Sequence, residues 1–248
     1  MSSRTYALYM AATPASAGPP AAPRVRSASE RAYLEVKRRI LTGAYEGGYL
    51  ITEGQVADEV GISRTPVREA FLRLQAEGLL RLYPKRGAMV VPVSAHDIED
   101  VVEARVVLER FAVAAVIDRG THPQVAKQMT AVLDKQRTRA RRSDADGFTD
   151  LDRDFHALLV DAAGNRIISD LYASLRDRQV RMGVAALLRE PGRFEEVLAE
   201  HEQLCRLLAD GDGPGVASLL GGHITATGEA LRGVRGEDRR GHLRRMTT

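Results

Sequence analysis

Four residues in the second half of the chain have the chemistry of a divalent-metal site. Asp152 and His156 stand four apart, and His201 and His223 follow much later. On helical wheels, Asp152 and His156 fall inside the apolar arc of Phe148, Leu159, Val160 and Ala163, one turn apart on one face. His201 sits in the middle of the arc of Phe194, Val197, Leu198, Leu204, Cys205 and Leu208, and His223 in that of Val216, Leu219, Leu220, Ala226 and Ala230. One inward histidine is ordinarily a hydrogen-bonded core residue. Three on separate helices, with a carboxylate one turn from the first, are costly to bury unless paired or coordinated. Imidazole and carboxylate donors together suit zinc, with manganese and nickel as alternatives.

Two arginines also fall on apolar stripes. Arg105 shares a face with Val101, Leu108, Ala112 and Ala115, and Arg178 with Leu171, Leu175, Met182 and Ala185. A buried guanidinium needs an anion. Either an internal carboxylate or a small carboxylate effector would serve. Asn165 follows Gly164 and reads as a helix N-cap or as a third effector contact. Cys205, one turn from His201, reads as core.

A second set of residues has the chemistry of DNA reading. Arg64, Thr65, Arg68 and Arg73 point away from the apolar face of Val67, Ala70, Phe71 and Leu74. Arginine makes bidentate contacts to guanine, and Ser or Thr hydroxyls reach phosphates or bases. Pro84-Lys85-Arg86-Gly87 breaks a β-rich stretch, placing two cations and a glycine at a turn.

The elements that must position these residues follow from periodicity. Thr52-Glu53-Gly54-Gln55 has capping-box spacing and opens a short helix ending before Gly61. A tight Gly61-Ile62-Ser63 turn leads into a second helix from about Arg64 to Glu77, with Pro66 in its first turn and Gly78 as its stop. With a preceding helix and the 79–93 hairpin as a wing, residues 29–93 read as a winged helix-turn-helix. Beyond Ser94 the pattern is helical throughout, with segments at 95–119, 122–142, 145–163, 166–189, 192–210 and 214–233. The fold class is therefore mainly α. A three-helix head with a hairpin precedes an all-α bundle at 94–234, flanked by a disordered Ala/Pro/Ser-rich arm at 1–28 and a basic tail at 235–248.

Composition narrows the function. Of 248 residues, 44% are hydrophobic and 28% charged, which is globular composition, and no apolar run is long enough to span a membrane. A single cysteine forbids an intrachain disulfide and points to a reducing, cytoplasmic setting. With no Trp and 5% aromatics, base-stacking platforms are disfavoured. Residues 1–93 carry 13 Lys and Arg against 8 Asp and Glu, whereas 94–248 carry 23 against 25, so the basic front suits a polyanion.

Residues 33–93 resemble the winged helix of GntR-type bacterial transcription regulators. The resemblance rests on Ile40-Leu41-Thr42-Gly43, the run Gly61 to Ala70, Glu77-Gly78-Leu79 and Arg86-Gly87-Ala88. It implies that Arg64 and Arg68 read the operator, that Ser63, Thr65 and Pro66 line the phosphate-side contacts, and that Gly87 lies at the wing tip. Some members carry a further arginine in the preceding helix, where this chain has Gly54. Residues 97–233 resemble the FCD ligand-sensing domain of the FadR-like branch, through Glu103-Ala104-Arg105 with Glu109, Asp152-Arg153-Asp154-Phe155-His156, Ala163-Gly164-Asn165, Pro191-Gly192-Arg193, Ala199-Glu200-His201 and Gly222-His223-Ile224. Metal-binding members of that branch match at Asp152, His156, His201 and His223.

The combined expectation is a homodimeric, sequence-specific repressor on a pseudo-palindromic double-stranded DNA operator. A small carboxylate effector would modulate it through the metal-containing domain, with Arg105, Arg178 and Asn165 as effector contacts. Two rivals stand beside it: a metal-dependent hydrolase using the Asp/His/His/His set, and a DNA-packaging protein, which the large acidic rear disfavours.

Overall fold

The computed structural model describes residues 27–189 and 192–245. The predicted arm at 1–28 therefore lies almost wholly outside the described residues.

The front begins with α1 (Ala28–Leu41), capped by Ser27, whose hydroxyl accepts from Glu30 N–H. Strand β1 (Leu50–Ile51), α2 (Glu53–Val60), α3 (Arg64–Ala76), β2 (Leu80–Tyr83) and β3 (Gly87–Val90) follow. Helix α2 is capped by the Thr52 hydroxyl and ends at Gly61 in the left-handed conformation. The reciprocal half of the expected capping box is absent, because the Gln55 amide donates to Glu59 at 3.2 Å instead. The three antiparallel strands run in the order β1-β3-β2, with Leu80 opposite Val90 and Tyr83 opposite Gly87. The hairpin was expected, but β1 was not. Two residues are too few to display a period of two. Glycine is obligatory at Gly87, where φ is +102° and a Cβ would stand 2.2 Å from the Ile51 carbonyl oxygen. Val36, Ile40, Ile51, Val56, Val67, Phe71, Leu74, Leu80 and Val90 close the head's core.

The rear is α4 (Ala95–Asp118), α5 (His122–Ala140), α6 (Ala145–Ala162), α7 (Arg166–Ser174), α8 (Arg176–Arg189), α9 (Arg193–Ala209) and α10 (Gly213–Arg245). Ser94 and Asp97 form a full capping box at the start of α4. Helix α5 packs between α6 and α9, and α10 lies along α4 and α9. Their facing stripes bury Val113, Val116, Met129, Leu133, Phe155, Leu159, Leu204, Leu208, Leu220 and Ile224. Two segments differ from expectation. The predicted helix over 166–189 is broken at Leu175, whose N–H turns back to Tyr172 O in a 3₁₀ step. The last helix runs to Arg245 rather than 233, through part of the expected basic tail.

Head and rear touch through α1 and α8. Lys37 Nζ donates to Glu77 at 2.8 Å and to Asp177 at 2.7 Å, tying α1, α3 and α8 together.

Candidate functional site

Helix α3 presents its exposed face with Arg64, Thr65 and Arg68 outward, while Val67, Ala70, Phe71 and Leu74 anchor the other side. Ser63 is the N-cap, yet its side chain makes no capping bond, so the hydroxyl faces solvent. Pro66 is half-buried in the first turn. Gly54 leaves room for Arg64 to lie across α2: a methyl group there would stand 3.4 Å from Arg64 Nη2. On the wing, Arg86 N–H donates to Tyr83 O, and Lys85 at the tip adopts φ +61°. Lys85 and Arg86 are both exposed. Arg73 stands apart from this set. Its guanidinium lies 3.5 Å from the centre of the Tyr33 ring and donates to Glu30 at 2.9 Å. Arg73 thus serves the packing of α1 on α3.

Behind the head, Asp152, His156, His201 and His223 converge, each offering one ligand atom within 4.8 Å of the others. The three histidines are buried and Asp152 is partly exposed. Their orientation comes from the opposite side of each ring. His156 Nδ1 lies 2.7 Å from Glu109 Oε2, His201 Nδ1 2.8 Å from Gln136 Oε1, and His223 Nδ1 2.6 Å from Glu200 Oε2. Oxygen at these positions only accepts, so each Nδ1 carries the proton and donates it. Each Nε2 is then a bare lone pair. These lone pairs face one another: His156 and His223 Nε2 are 3.2 Å apart, His201 and His223 Nε2 3.4 Å, and Asp152 Oδ1 is 3.4 Å from His201 Nε2. Unprotonated nitrogens at that separation repel unless a cation lies between them. Donors about 2.0–2.1 Å from a tetrahedral zinc stand about 3.3–3.4 Å from each other. The donor set fits a divalent metal, and the acceptors behind the imidazoles are the usual means of fixing ligand tautomers.

Electrostatics support the same assignment. Burial, with the neighbouring rings His223 and His156, pushes His201 well below its ordinary value, so the neutral coordinating form is favoured. Burial also lowers His223, against the opposing pull of Glu200. Burial alone would raise Glu109, but His156 and Arg105 outweigh it and keep the carboxyl ionised. Phe155 stacks on His201 at 4.0 Å between ring centres and nearly parallel, closing the apolar side.

The other predicted effector contacts are placed differently. Arg105 Nε donates to Glu109 at 2.9 Å, and Tyr172 donates to the same oxygen at 2.8 Å. Arg105 is thus the counter-ion of the carboxylate behind His156, which is the internal-carboxylate alternative. Arg178 is exposed. The apolar stripe predicted for Arg178 requires an unbroken helix, and the break at Leu175 shifts the phase, with Leu171 in solvent. Asn165 caps α7, its Oδ1 accepting from Ile167 and Ile168 N–H. Cys205 is buried in the core.

Sequence reasoning missed Gln136, Glu200 and Arg193. Arg193 is buried at the start of α9 and donates to Thr227 at 3.2 Å and to the exposed Glu196 at 3.1 Å. It lines a cavity of about 20 Å³ with Thr149, Asp152, Gly183 and Thr227. Thr149 Oγ1 has no hydrogen-bond partner among the described residues, nor has either amide atom of Gln179, one turn before Gly183 on α8. Space for about one water, the orphaned Thr149 hydroxyl and the buried Arg193 thus adjoin Asp152. The signal for Arg193 lay in Pro191-Gly192-Arg193, where an arginine opens a helix otherwise acidic in its first turn.

Comparisons with known proteins agree with this architecture. The family described as bacterial regulatory proteins, gntR family, matches residues 28–90, and the FCD domain matches residues 100–226. The transcriptional regulator YdhC of Bacillus subtilis is 30% identical over 69% of this chain and 76% of its own length. The repressor RspR of Escherichia coli is 26% identical over 85% of this chain and 91% of its own. Among solved structures, E. coli McbR/YncC superposes with a TM-score of 0.67 at 23% identity, covering 85% of this chain and all of that one. That likeness is one of fold. Among the described residues no helix is long and apolar enough to cross a membrane.

Proposed function

Since the chain belongs to the gntR family of DNA-binding transcriptional regulators and carries an FCD domain, we propose that it is a metal-containing repressor whose operator binding responds to a small organic acid. The observation that carries this reading is the convergence of three Nε2 lone pairs and Asp152, each ring locked from behind. When bound, the ion would supply Lewis acidity to a carboxylate oxygen that adds to the four protein donors. The chain's own residues do the rest. Arg193, Thr149 and Thr227 offer a cation and hydroxyls to the acid beside Asp152. Arg105 has the separate task of holding Glu109 ionised behind His156.

Helix α8 is the element through which binding would reach the head. Gly183, Ala186 and Leu187 line the small cavity, while Asp177 on the same helix holds Lys37 of α1. A cavity of one water's size admits an organic acid only if α8 gives way, and that movement would reset α1 and the recognition helix. On DNA, Arg64 and Arg68 read bases, Ser63, Thr65 and Pro66 meet the backbone, and Lys85, Arg86 and Gly87 form the wing contact. Two heads are needed for a pseudo-palindrome. Val107 and Phe111, one turn apart and exposed on α4, offer an apolar face for a homodimer. Repression is favoured by relatives that are themselves named repressors.

The hydrolase reading loses its ground, because the family and its relatives are regulators. The test is operator selection from random DNA with the metal-loaded protein, followed by titration with small carboxylates. Discrete sequence enrichment that one carboxylate reverses supports the reading. Binding that bulk DNA competes away without sequence preference contradicts it.

A further inference from the structure

A second, larger cavity lies not beside Asp152 but between the head and the rear. It holds about 420 Å³ and lies on the opposite side of α8 from the small cavity. Its walls come from the end of α1 and the turn after it (Ile40, Leu41), the linker (Pro92), and α4 and α8 (Ile98, Met182, Leu188). That volume is in the range of small-molecule sites, roughly 300–1,000 Å³. Leu188, 68% exposed, adds an apolar side chain to the rim of the cleft.

Among the described residues, one cation lines this cleft. Arg181 of α8 lines it and donates from Nη2 to Val91 O at 2.8 Å, holding the linker backbone. No carboxylate among the described residues pairs with it. Asp97 and Asp177 act on it only at a distance, and burial lowers its pKa. An incompletely paired guanidinium beside the apolar side chains of Ile40, Ile98, Met182 and Leu188 is complementary to an anion bearing an apolar body. Glu46 also lines the cleft, which disfavours a second negative charge.

We infer that the cleft between the head and α8 is a second ligand site, taking an apolar monocarboxylate whose head group pairs with Arg181. The acid would sit between Ile40 of the head and Met182 of the rear, bracing one placement of the DNA-binding head. It shares no residue with the cavity beside Asp152, so the two sites are separable.

The probe is hexanoate, titrated into the metal-loaded full-length protein with ¹³C-methyl-labelled methionine. The Met182 methyl is assigned by its loss in Met182→Leu. Hexanoate should shift the Met182 signal saturably. Hexanol, hexylamine and the dicarboxylate adipate should bind at least about tenfold more weakly, since a charge-assisted contact of that order separates them. Arg181→Gln should weaken hexanoate by about tenfold or more, whereas Arg193→Gln, in the other cavity, should leave the Met182 titration unchanged. Absence of a saturable Met182 shift overturns the proposal. So does equal binding of hexanol, or hexanoate affinity unaltered in Arg181→Gln while that variant keeps wild-type circular dichroism and melting.

Discussion

Replacing Arg105 with methionine should damage the metal centre and the fold together. Arg105 donates to Glu109 at 2.9 Å, both side chains are buried, and Glu109 in turn orients His156. Methionine keeps most of the volume but strands an ionised carboxylate in the interior. Breaking a buried pair from one side costs about 3–5 kcal/mol. Glu109 retains its bonds from Tyr172 and His156, which favours the lower end, about 3 kcal/mol. In a chain of this size each kcal/mol moves the melting temperature by about 2–4 °C, so the midpoint should fall by about 6–12 °C. Loosening the carboxylate that orients His156 should also weaken metal binding about 10–100-fold. The assay is thermal melting by circular dichroism, paired with metal titration of the chelator-stripped protein. The double variant Arg105→Met/Glu109→Gln removes both charges and should recover part of the midpoint, the sign of a coupled pair. Were Arg105→Met to melt within about 1 °C of wild type with unchanged metal affinity, the ion-pair reasoning would be refuted, and Arg105 would return as a candidate effector contact.

Four further substitutions have expected outcomes. Arg68→Ala should cost about 1–3 kcal/mol on the selected operator and relax specificity, whereas Lys85→Ala should weaken all sequences alike and reduce the salt slope by about one, both read by fluorescence anisotropy. Glu77 is raised by burial but more strongly lowered by Lys37 and Tyr33, so its folded value lies below its ordinary 4.5. Its stabilising share is complete above 4.5 and is lost as pH falls through the lowered value, so Glu77→Gln should melt at a midpoint less sensitive to acid below 4.5. Gly87→Ala forces a Cβ to within 2.2 Å of the Ile51 carbonyl oxygen at positive φ and should destabilise the head by about 1–3 kcal/mol in a denaturant melt.

Helical periodicity carried much of this architecture because every rear helix buries one stripe, and the inward histidines interrupt those stripes visibly. His156, His201 and His223 could be placed on core faces by counting alone. Gln136 and Glu200 could not, since a polar residue beside a core stripe looks the same whether it faces solvent or supports an imidazole. The break at Leu175 was illegible for a different reason. It carries neither Gly nor Pro, so the sequence pattern runs one stripe through Arg178, which the structure leaves exposed. Arg105 was correctly placed in the interior, but its partner Glu109 depends on rotamers and on Tyr172 from another helix. In the head, α2, the turn and α3 follow from capping and glycine chemistry. Arg73 is drawn back by Tyr33 and Glu30, a contact between helices that one helix's wheel does not contain.

The central claim rests on three bare Nε2 atoms and a carboxylate requiring a cation between them. Elemental analysis of protein purified without chelator, followed by melting before and after chelation, tests it directly. The account predicts about one divalent ion per chain, lost in His156→Ala, and a melting temperature that falls on chelation and returns with zinc, manganese or nickel. A natively folded protein that contains no metal, and that none of the three ions stabilises, would contradict it.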